Sequence, residues 1–340
     1  MKDNGEPVRA EVAVVGAGIA GLTAAALLAR HGYHVVVIER DVHPGGCAAG
    51  FSQRGYRFAV GATVATGFER GGLHRKIYDL LGLNADYVDV SPALRVHLPD
   101  RVVRVMTERG AWNEELRRVF PGQSREKGAF WREVARLAGA MYYAAARFPV
   151  MPFASWHDVL DTAKAAHPKL LPVLFSLRKT VGERLERYGI DDRAHRAFID
   201  GQLLDAAQVE ADACALPNGA LALEIYRFGC QYKMGGLESI AKDLAGYLKE
   251  HGGEVHYATR AKTILHEDGS VRGVATSRGE VHARVVISAI PLKNTAELLE
   301  RPETSTLPRR AAGQPGMWGA FTLYLGVDER ALPEGVHPYE

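Results

Sequence analysis

The chain has 340 residues, more than one hydrophobic core usually serves, so we expect two domains. Its 42 Lys and Arg residues against 40 Asp and Glu leave a net charge of +2, which argues against a dedicated nucleic-acid-binding protein. Three cysteines without a CxxC pair predict neither a disulfide framework nor a metal site, and they favour a reducing cytoplasm. The longest apolar runs, such as LTAAALLA, are too short to span a bilayer.

A strand–helix–strand unit with a glycine fingerprint opens the chain. The buried-strand pattern EVAVV is followed by GAGIAG, a helical run LTAAALLARHG and a second strand pattern, HVVVIE. In the fingerprint Gly16 permits the tight turn, Gly18 lets a pyrophosphate approach the backbone, and Gly21 lets the helix pack closely on the strand. This order of elements predicts a dinucleotide-binding unit. The alternative is a glycine-rich turn without a ligand.

The ends of these elements carry the groups that a dinucleotide needs. The first helical turn, with Ile19 and Ala20, presents free N–H groups and a partial positive charge to the phosphates. Glu39 ends the second strand about 20 residues after the fingerprint and can accept hydrogen bonds from a ribose. Its charge disfavours a 2′-phosphate, and hence NADP, even with Arg40 beside it. This unit alone leaves NAD and FAD open.

A second glycine cluster follows the second strand. The turn signal PGG at residues 44–46 precedes Cys47, and FSQRGYRFAVGATV alternates like a hairpin with an Arg-Gly turn at residues 54–55. Gly61 lies where this segment returns towards the cofactor. A minimal NAD unit needs no such cluster. The ribityl chain and ring of a flavin do need it, because they extend past the pyrophosphate and must lie against backbone.

These motifs together resemble a known family. GAGIAGL, ERDVHPGG and GYRFAVGATV are similar to the N-terminus of flavin amine oxidases and, more closely, of carotenoid desaturases and isomerases of the bacterial phytoene desaturase type. The segment GFERGGLHRKIYDLLGL is most similar to the branch that includes carotenoid cis–trans isomerases, hydroxycarotenoid desaturases and retinol saturases. Two positions depart from the family pattern: Cys47 stands where an arginine is frequent, and Ala59 where an aspartate is frequent.

The resemblance implies FAD as the cofactor and a set of cofactor-binding positions. The set comprises Gly16, Gly18, Ile19, Ala20, Gly21, Glu39, Arg40, Gly45, Gly46, Cys47, Gly61, Ala62, Thr63 and Lys262. Lys262 stands for a backbone contact to adenine that the family places after a later strand. The departures at Cys47 and Ala59 change side chains near the flavin and leave the glycine backbone in place. No catalytic side chain is predicted, because the family resemblance demands no acid–base pair.

The middle of the chain, residues 91–228, has long helical patterns and few glycines. The resemblance implies that this is an inserted, largely helical substrate domain. Its apolar runs FPVMPFASW and PKLLPVLFSL are flanked by basic residues, and both ordinary helix core and a membrane-contacting face remain open. Gln202, Asp205 and Gln208 have i, i+3 spacing, typical of a solvated face or of a lining for a substrate tunnel.

The cofactor-binding pattern returns over residues 229–295. YKMGG precedes an amphipathic helix, the strand EVHYA, a three-stranded meander with turns at residues 268–269 and 278–279, and the strand VVISA. With residues 1–90 this predicts an α/β fold: a Rossmann-like FAD-binding domain with a parallel sheet and a β-meander. A nicotinamide dehydrogenase needs neither the YKMGG helix nor the meander, so FAD is favoured over NAD.

Residues 296–340 are interpreted as the start of a returning substrate-domain segment, and FTLYLGVDERALPEG looks like one of its strands. The resemblance implies further substrate-cavity residues, then a closing glycine-rich segment and a helix against the flavin. Nothing like these appears before Glu340. The interpretations are a truncated gene product, a fragment, or a chain completed by a separate polypeptide.

The leading functional hypothesis is an FAD-dependent oxidoreductase acting on a lipophilic polyene such as a carotenoid. Desaturation and flavin-dependent isomerisation or saturation would use the same arrangement of groups. We expect a cytoplasmic protein that meets a membrane surface peripherally and binds no nucleic acid. The alternatives are an amine-oxidase-like flavoprotein with a polar substrate, and a non-catalytic remnant or subunit that needs a second chain.

Overall fold

The computed structural model describes residues 7–145, 156–157, 168–299 and 321–336. The chain divides into two compact units. The first comprises Met1–Ala65, His74–Val88 and Tyr232–Gly326, and the second comprises Thr66–Leu73, Asp89–Gln231 and Val327–Glu340. The assignment of residues 1–90 and 229–295 to a cofactor domain, 91–228 to a substrate domain and 296–340 to its return stays a prediction.

The strands and helices of the described residues are short and alternate along the chain. The strands are β1 Val8–Arg9, β2 Val12–Val15, β3 Val35–Ile38, β4 Gly50–Gln53, β5 Tyr56–Ala59, β6 Tyr87–Asp89, β7 Leu94–Leu98, β8 Arg101–Val105, β9 Gln231–Lys233, β10 Glu254–His256, β11 Ala261–Glu267, β12 Ser270–Thr276, β13 Gly279–His282 and β14 Val285–Ser288. The helices are α1 Ile19–Arg30, α2 Leu73–Leu81, α3 Arg109–Val119, α4 Ser124–Ala145, α5 Leu171–Ser176, α6 Val181–Arg187, α7 Arg193–Ala207, α8 Leu216–Glu224, α9 Glu238–Glu250 and α10 Leu292–Glu297.

A parallel four-stranded sheet organises the first unit, in the order β10-β3-β2-β14. Its two inner strands, VAVV and VVVI, are buried at every residue, as expected where both faces of a parallel sheet are covered. The register pairs Val12 with Val35 on one side and with Val285 on the other. The predicted strands EVAVV, HVVVIE, EVHYA and VVISA are therefore confirmed, as are the helices after GAGIAG and YKMGG.

The predicted meander is also confirmed. β11, β12 and β13 pair antiparallel in sequence, and the short β1 adds to β13 in parallel. A core cluster joins the two sheets, with Val15, Val36 and Ile38 from the parallel sheet against Ile264 and Val274 of the meander. The register of the parallel sheet places the carboxyl ends of β2, β3 and β10 side by side, because Ile38 pairs with both Val15 and His256.

The hairpin β4–β5 has the turn that the sequence predicts. Arg54 and Gly55 both have positive φ, at +52° and +83°, which is the conformation of a two-residue turn between twisted antiparallel strands. Glycine adopts it freely, and Arg54 bears the cost at an exposed tip. The hairpin ends at Ala59, directly before the segment that contains Gly61.

Helices make up most of the described part of the second unit, around an aromatic core. Trp112 of α3, Trp131 of α4 and Phe198 of α7 are buried, with ring centroids of Trp112 at 5.2 Å and 5.8 Å from the other two. The antiparallel hairpin β7–β8 was not predicted. Its alternating LRVHL and RVVRV runs around Pro99-Asp100 carry the signal that would have found it.

The described residues bear on several further expectations from the sequence. The segment 321–328 is assigned to no strand, because no described backbone pairs with it. Gln202 is buried and Asp205 is exposed on α7, while Gln208 lies beyond the helix end with φ of +59°, so the three do not share one face. Most of the run FPVMPFASW lies outside the described residues. No described helix is long and apolar enough to cross a bilayer.

Candidate functional site

The GAGIAG turn joins β2 to α1, and two of its glycines are required by close contacts. Gly16 has φ of +103°, and a Cβ there would stand 3.0 Å from the side chain of Ile290. A Cβ at Gly21 would stand 2.1 Å from the carbonyl oxygen of Gly16, so only glycine lets α1 begin so close to the turn. These are the turn and helix-packing roles that the fingerprint predicts.

Gly18 differs from both, because no neighbour requires it. Its φ is an ordinary −71°, and a Cβ built there meets nothing within 4 Å. It is the N-cap residue of α1, no side chain caps this helix, and its first turn holds no acidic residue. Free N–H groups, a helix dipole and open space beside Gly18 therefore form a cradle that suits a pyrophosphate.

The second glycine cluster lies directly against this turn. The Gly45 N–H donates to the Ala17 carbonyl at 2.8 Å, and Gly18 and Gly45 form an isolated parallel bridge. Gly45 has φ of +123°, and a Cβ on Gly46 would stand 3.4 Å from the Cα of Gly18. The structure thus brings together the two glycine clusters that the sequence places about 25 residues apart.

The third predicted segment, residues 61–63, extends the same surface. The Val60 N–H donates to the Ala49 carbonyl at 2.8 Å, and a Cβ on Gly61 would stand 2.8 Å from the Cys47 carbonyl oxygen. Gly61, Ala62 and Thr63 are exposed, and so is the Cys47 side chain. Backbone from GAGIAG, residues 45–47 and residues 60–61 is therefore contiguous, and we call it the glycine groove.

Glu39 ties the groove to the sheet. Its carboxylate accepts hydrogen bonds from the Ala17 N–H at 2.6 Å and from the Asp41 N–H at 2.9 Å. The residue is only 8% exposed. Each carboxylate oxygen keeps a further acceptor site, so these bonds leave room for a ribose hydroxyl. Arg40 beside it is exposed, with its guanidinium 3.9 Å from the Asp41 carboxylate.

The chain after β10 reaches Glu39 through residues that the sequence did not single out. The Thr259 N–H donates to the Glu39 carbonyl at 2.8 Å. Burial, and secondly the charge of Glu39, raises the pKa of the Tyr257 hydroxyl. Lys262 lies further along, exposed on β11 at an irregular point of its pairing with β12. The missed signal was positional, because residues directly after neighbouring parallel strands meet at one sheet edge.

A second missed residue, Glu238, holds the β4–β5 hairpin to the start of α9. Its carboxylate accepts from the Arg57 guanidinium and lies 3.1 Å from the Lys242 ammonium. A Cβ on Gly50 would stand 2.8 Å from the Glu238 carboxyl carbon, so the carboxylate passes where β4 has no side chain. Burial opposes ionisation, but the Arg57 and Lys242 interactions outweigh it and lower the pKa of Glu238.

Aromatic packing also holds the hairpin β4–β5. The Tyr324 ring meets Phe51 edge-on at 4.9 Å between centroids and lies 5.4 Å from Phe58. The Tyr324 hydroxyl donates to the Val60 carbonyl at 2.9 Å. Tyr324 therefore braces the residue that precedes Gly61. Backbone N–H donors, the Glu39 carboxylate and apolar surface lie along the glycine groove, a set of groups suited to a dinucleotide.

Comparison with known proteins gives consistent matches. The family model described as flavin containing amine oxidoreductase matches residues 19–338. A chloroplastic prolycopene isomerase of Daucus carota is 27% identical over 331 residues, 94% of this chain and 52% of the relative. A zeta-carotene-forming phytoene desaturase of Myxococcus xanthus is 31% identical over 338 residues, 96% of this chain and 62% of the relative. The chain thus spans about half to three fifths of the length of these relatives.

Among solved structures, putrescine oxidase bound to putrescine superposes with a TM-score of 0.61. The identity is 20%, and the match covers 91% of this chain and 63% of that chain. At that identity the likeness concerns the fold, and it confirms the predicted α/β architecture with its parallel sheet.

Proposed function

Because the chain belongs to the flavin-containing amine oxidoreductase family, we propose that it is an FAD-dependent oxidoreductase acting on a carotenoid-like polyene. The observation that carries the FAD assignment is the glycine groove, where Gly45 and Gly46 lie against Gly18. The polyene substrate is supported by the relatives, a prolycopene isomerase and a phytoene desaturase. Desaturation, isomerisation and saturation remain alternatives for the bond chemistry.

We assign each part of the cofactor to different residues of the glycine groove. Gly18 and the free N–H groups of Ile19 and Ala20 would hold the pyrophosphate, because they combine open space with a helix dipole. Glu39 would accept from the ribose with its remaining acceptor sites. Residues 45–47 and 61–63 would lie along the ribityl chain and the ring.

Bound FAD supplies the two-electron acceptor that polyene desaturation needs. The chain would orient the substrate against the flavin and exclude water from the site, which is what a protein contributes to flavin chemistry. The groove suits this role because Glu39 and the Gly45 N–H fix its backbone before any ligand arrives. A groove held in this way loses little conformational freedom on binding.

The proposal is tested on the purified chain by its visible spectrum and its turnover. We expect a flavin absorption band at near-stoichiometric FAD, and conversion of a phytoene- or lycopene-type polyene supplied in detergent. If the chain does not convert polyenes but releases hydrogen peroxide in the presence of an amine, its substrate is an amine and not a polyene. A chain that never retains FAD, with or without added cofactor, would contradict the proposal as a whole.

We also propose that an apolar surface on α5 contacts the membrane from which such a substrate would come. Leu171, Leu174, Phe175 and Leu177 are exposed, Phe175 to 81%. Lys169 and Arg178 flank them, so apolar and cationic groups lie together as at an anionic bilayer surface. The double variant Leu174→Gln/Phe175→Gln should reduce sedimentation with anionic vesicles, and Leu80→Gln, an exposed leucine on α2, should leave it unchanged. Equal sedimentation of all three proteins would remove the membrane assignment.

A further inference from the structure

A surface pocket in the second unit is lined by three basic side chains that take no part in the proposed FAD site. It lies between α3 and α4, with a volume of about 190 Å³. Arg117, Lys127 and Arg132 line it, together with the polar side chains of Asn113 and Ser124. None of its lining residues is acidic. A concave site with several cationic donors and no carboxylate is complementary to an anion.

The two arginines of the pocket are uncompensated. Among the residues that the structure describes, neither Arg117 nor Arg132 forms an ion pair or a side-chain hydrogen bond. Their neighbour Arg118, by contrast, is paired with Glu115. The Arg132 guanidinium turns back along its own helix, with one nitrogen 3.3 Å from where a Cβ on Gly128 would stand. Two arginines that line one pocket without a carboxylate partner leave positive charge uncompensated, and a bound anion would neutralise it.

Lys127, the third basic residue of the pocket, is held in place by partners within the protein. Its side chain is 5% exposed, and its ammonium donates to the Asp192 carboxylate at 2.5 Å and lies 3.4 Å from the Phe120 carbonyl oxygen. Asp192 therefore compensates this charge from within the protein, and the surplus positive charge belongs to the two arginines. Leu116 and Phe120 form the buried apolar part of the lining. The lining thus combines exposed cationic side chains with buried apolar ones.

We propose that this pocket binds a phosphate group, held by the guanidinium groups of Arg117 and Arg132. Planar guanidinium groups donate two parallel hydrogen bonds to phosphate oxygens, which a single ammonium does not. A phosphate of a small soluble molecule and a lipid headgroup present the same chemistry to the pocket. The site is separate from the glycine groove, since its residues belong to the second unit and those of the groove to the first.

The test uses the FAD-saturated full chain, so that the groove does not compete for the probe. Inorganic pyrophosphate is titrated calorimetrically at low ionic strength into the native protein, Arg117→Gln/Arg132→Gln and the control Arg125→Gln. Arg125 lies in the first turn of α4, is exposed and does not line the pocket. Loss of one charged hydrogen-bonding group weakens binding roughly tenfold, so the double variant should lose about a hundredfold and the control less than about twofold.

A second arm distinguishes the two sources of phosphate. Vesicles of phosphatidylglycerol and of phosphatidylcholine are sedimented with the same three proteins. Pyrophosphate binding that depends on both arginines supports a soluble ligand. Arginine-dependent binding to phosphatidylglycerol alone supports a lipid headgroup. Equal losses in the control and the double variant, or no arginine-dependent binding in either arm, would overturn the site. Thermal unfolding of each variant verifies folding, and none of these outcomes touches the proposal for FAD.

Discussion

At the scale of single residues, a substitution at Gly18 should affect cofactor binding without disturbing the fold, whereas substitutions at Gly16 or Gly21 should affect both. Gly16 and Gly21 are enclosed by other atoms, so replacing them would disturb the fold together with the groove. Gly18 faces open space with a φ that every residue adopts. The function of this one glycine is therefore accessible to substitution.

We predict that Gly18→Ala folds and binds FAD at least tenfold more weakly. The added methyl group occupies the cradle and pushes phosphate oxygens away from the N–H groups of α1, which costs about 1.5–3 kcal/mol per charged hydrogen bond lost. Fluorescence quenching of FAD gives the dissociation constant. Gly246→Ala on the exposed face of α9 is the matched control, because a Cβ there also meets nothing within 4 Å. Unaltered FAD affinity in Gly18→Ala would place the phosphates elsewhere.

His195 gives the second unit a pH dependence. It is fully buried and accepts a hydrogen bond from the Trp131 indole N–H at 3.0 Å. Burial, and secondly the charge of Lys127, lowers the pKa of His195 to about 3. An unfolded histidine titrates near pH 6.5, so below that pH the unfolded state binds a proton that the folded state refuses.

We therefore predict that stability is at its full value above pH 6.5 and falls as the pH is lowered towards 3. The slope is about 1.4 kcal/mol per pH unit, or about 2 kcal/mol between pH 6.5 and pH 5. Urea unfolding at both pH values measures it. In His195→Gln, which keeps an acceptor for Trp131 and does not titrate, this part of the slope should vanish. The exposed His43→Gln should keep the native slope, and an unchanged slope in His195→Gln would assign it to other groups.

At the scale of elements, the hairpin β4–β5 depends on a contact with α9 far along the chain. Glu238 is 8% exposed and joins Arg57 of β5 to Lys242 of α9. Because β5 leads directly to Gly61, this contact positions one side of the glycine groove.

We predict that Glu238→Gln loosens the hairpin and lowers the free energy of unfolding by about 1–3 kcal/mol. The substitution removes the charge of the buried member of the contact, and with it the charged hydrogen bond from the half-exposed Arg57 guanidinium. Hydrogen exchange of residues 50–59 should accelerate, and FAD affinity should fall. Lys242→Gln removes one exposed partner but leaves Glu238 its hydrogen bond from Arg57, so it should change stability by less than about 0.5 kcal/mol. Exchange rates that stay at the native value would show that the aromatic packing alone holds the hairpin.

Some of these elements can be predicted from the sequence pattern alone. Strands such as VAVV and VVVI are predictable because burial on both faces demands continuous apolar runs, and the Arg54-Gly55 turn because it demands positive φ. The hairpin β7–β8 could also have been predicted, because apolar and polar residues alternate in both of its strands. Glu238 could not be found, because it acts through a tertiary contact with Arg57, 181 residues away in sequence. Thr259 could have been found only from its position shortly after β10, a strand that neighbours β3.

At the scale of the whole molecule, the segment 321–327 presents an apolar face. Alternate residues Phe321, Leu323 and Leu325 are exposed, Phe321 to 93%, while Tyr324 between them packs on the β4–β5 hairpin. Tyr324 therefore anchors the segment, while the side chains of Phe321, Leu323 and Leu325 remain exposed. Contiguous exposed apolar groups of this kind drive association.

We predict concentration-dependent self-association of the isolated chain through this face. Leu323→Gln/Leu325→Gln should shift sedimentation-velocity profiles towards the monomer and reduce the fluorescence of a hydrophobic dye. The control Thr322→Gln, at an exposed polar residue of the same segment, should change neither the sedimentation profile nor the dye fluorescence. If association persists unchanged in the double variant, its origin lies in another surface, such as the leucines of α5.

The strand order β10-β3-β2-β14 has a consequence for synthesis on the ribosome. The inner strands β2 and β3 are complete at Ile38, but their outer neighbours are made only after Gly253 and Arg284. At about 5–20 residues per second, both edges of the nascent pair stay open for roughly 10 to 40 s. During that time the Glu39 carbonyl has no Thr259 to bind, and two valine-rich edges are available to chaperones or to wrong partners. Yield in the cell should therefore depend on translation speed and chaperone supply as well as on the stability of the finished fold.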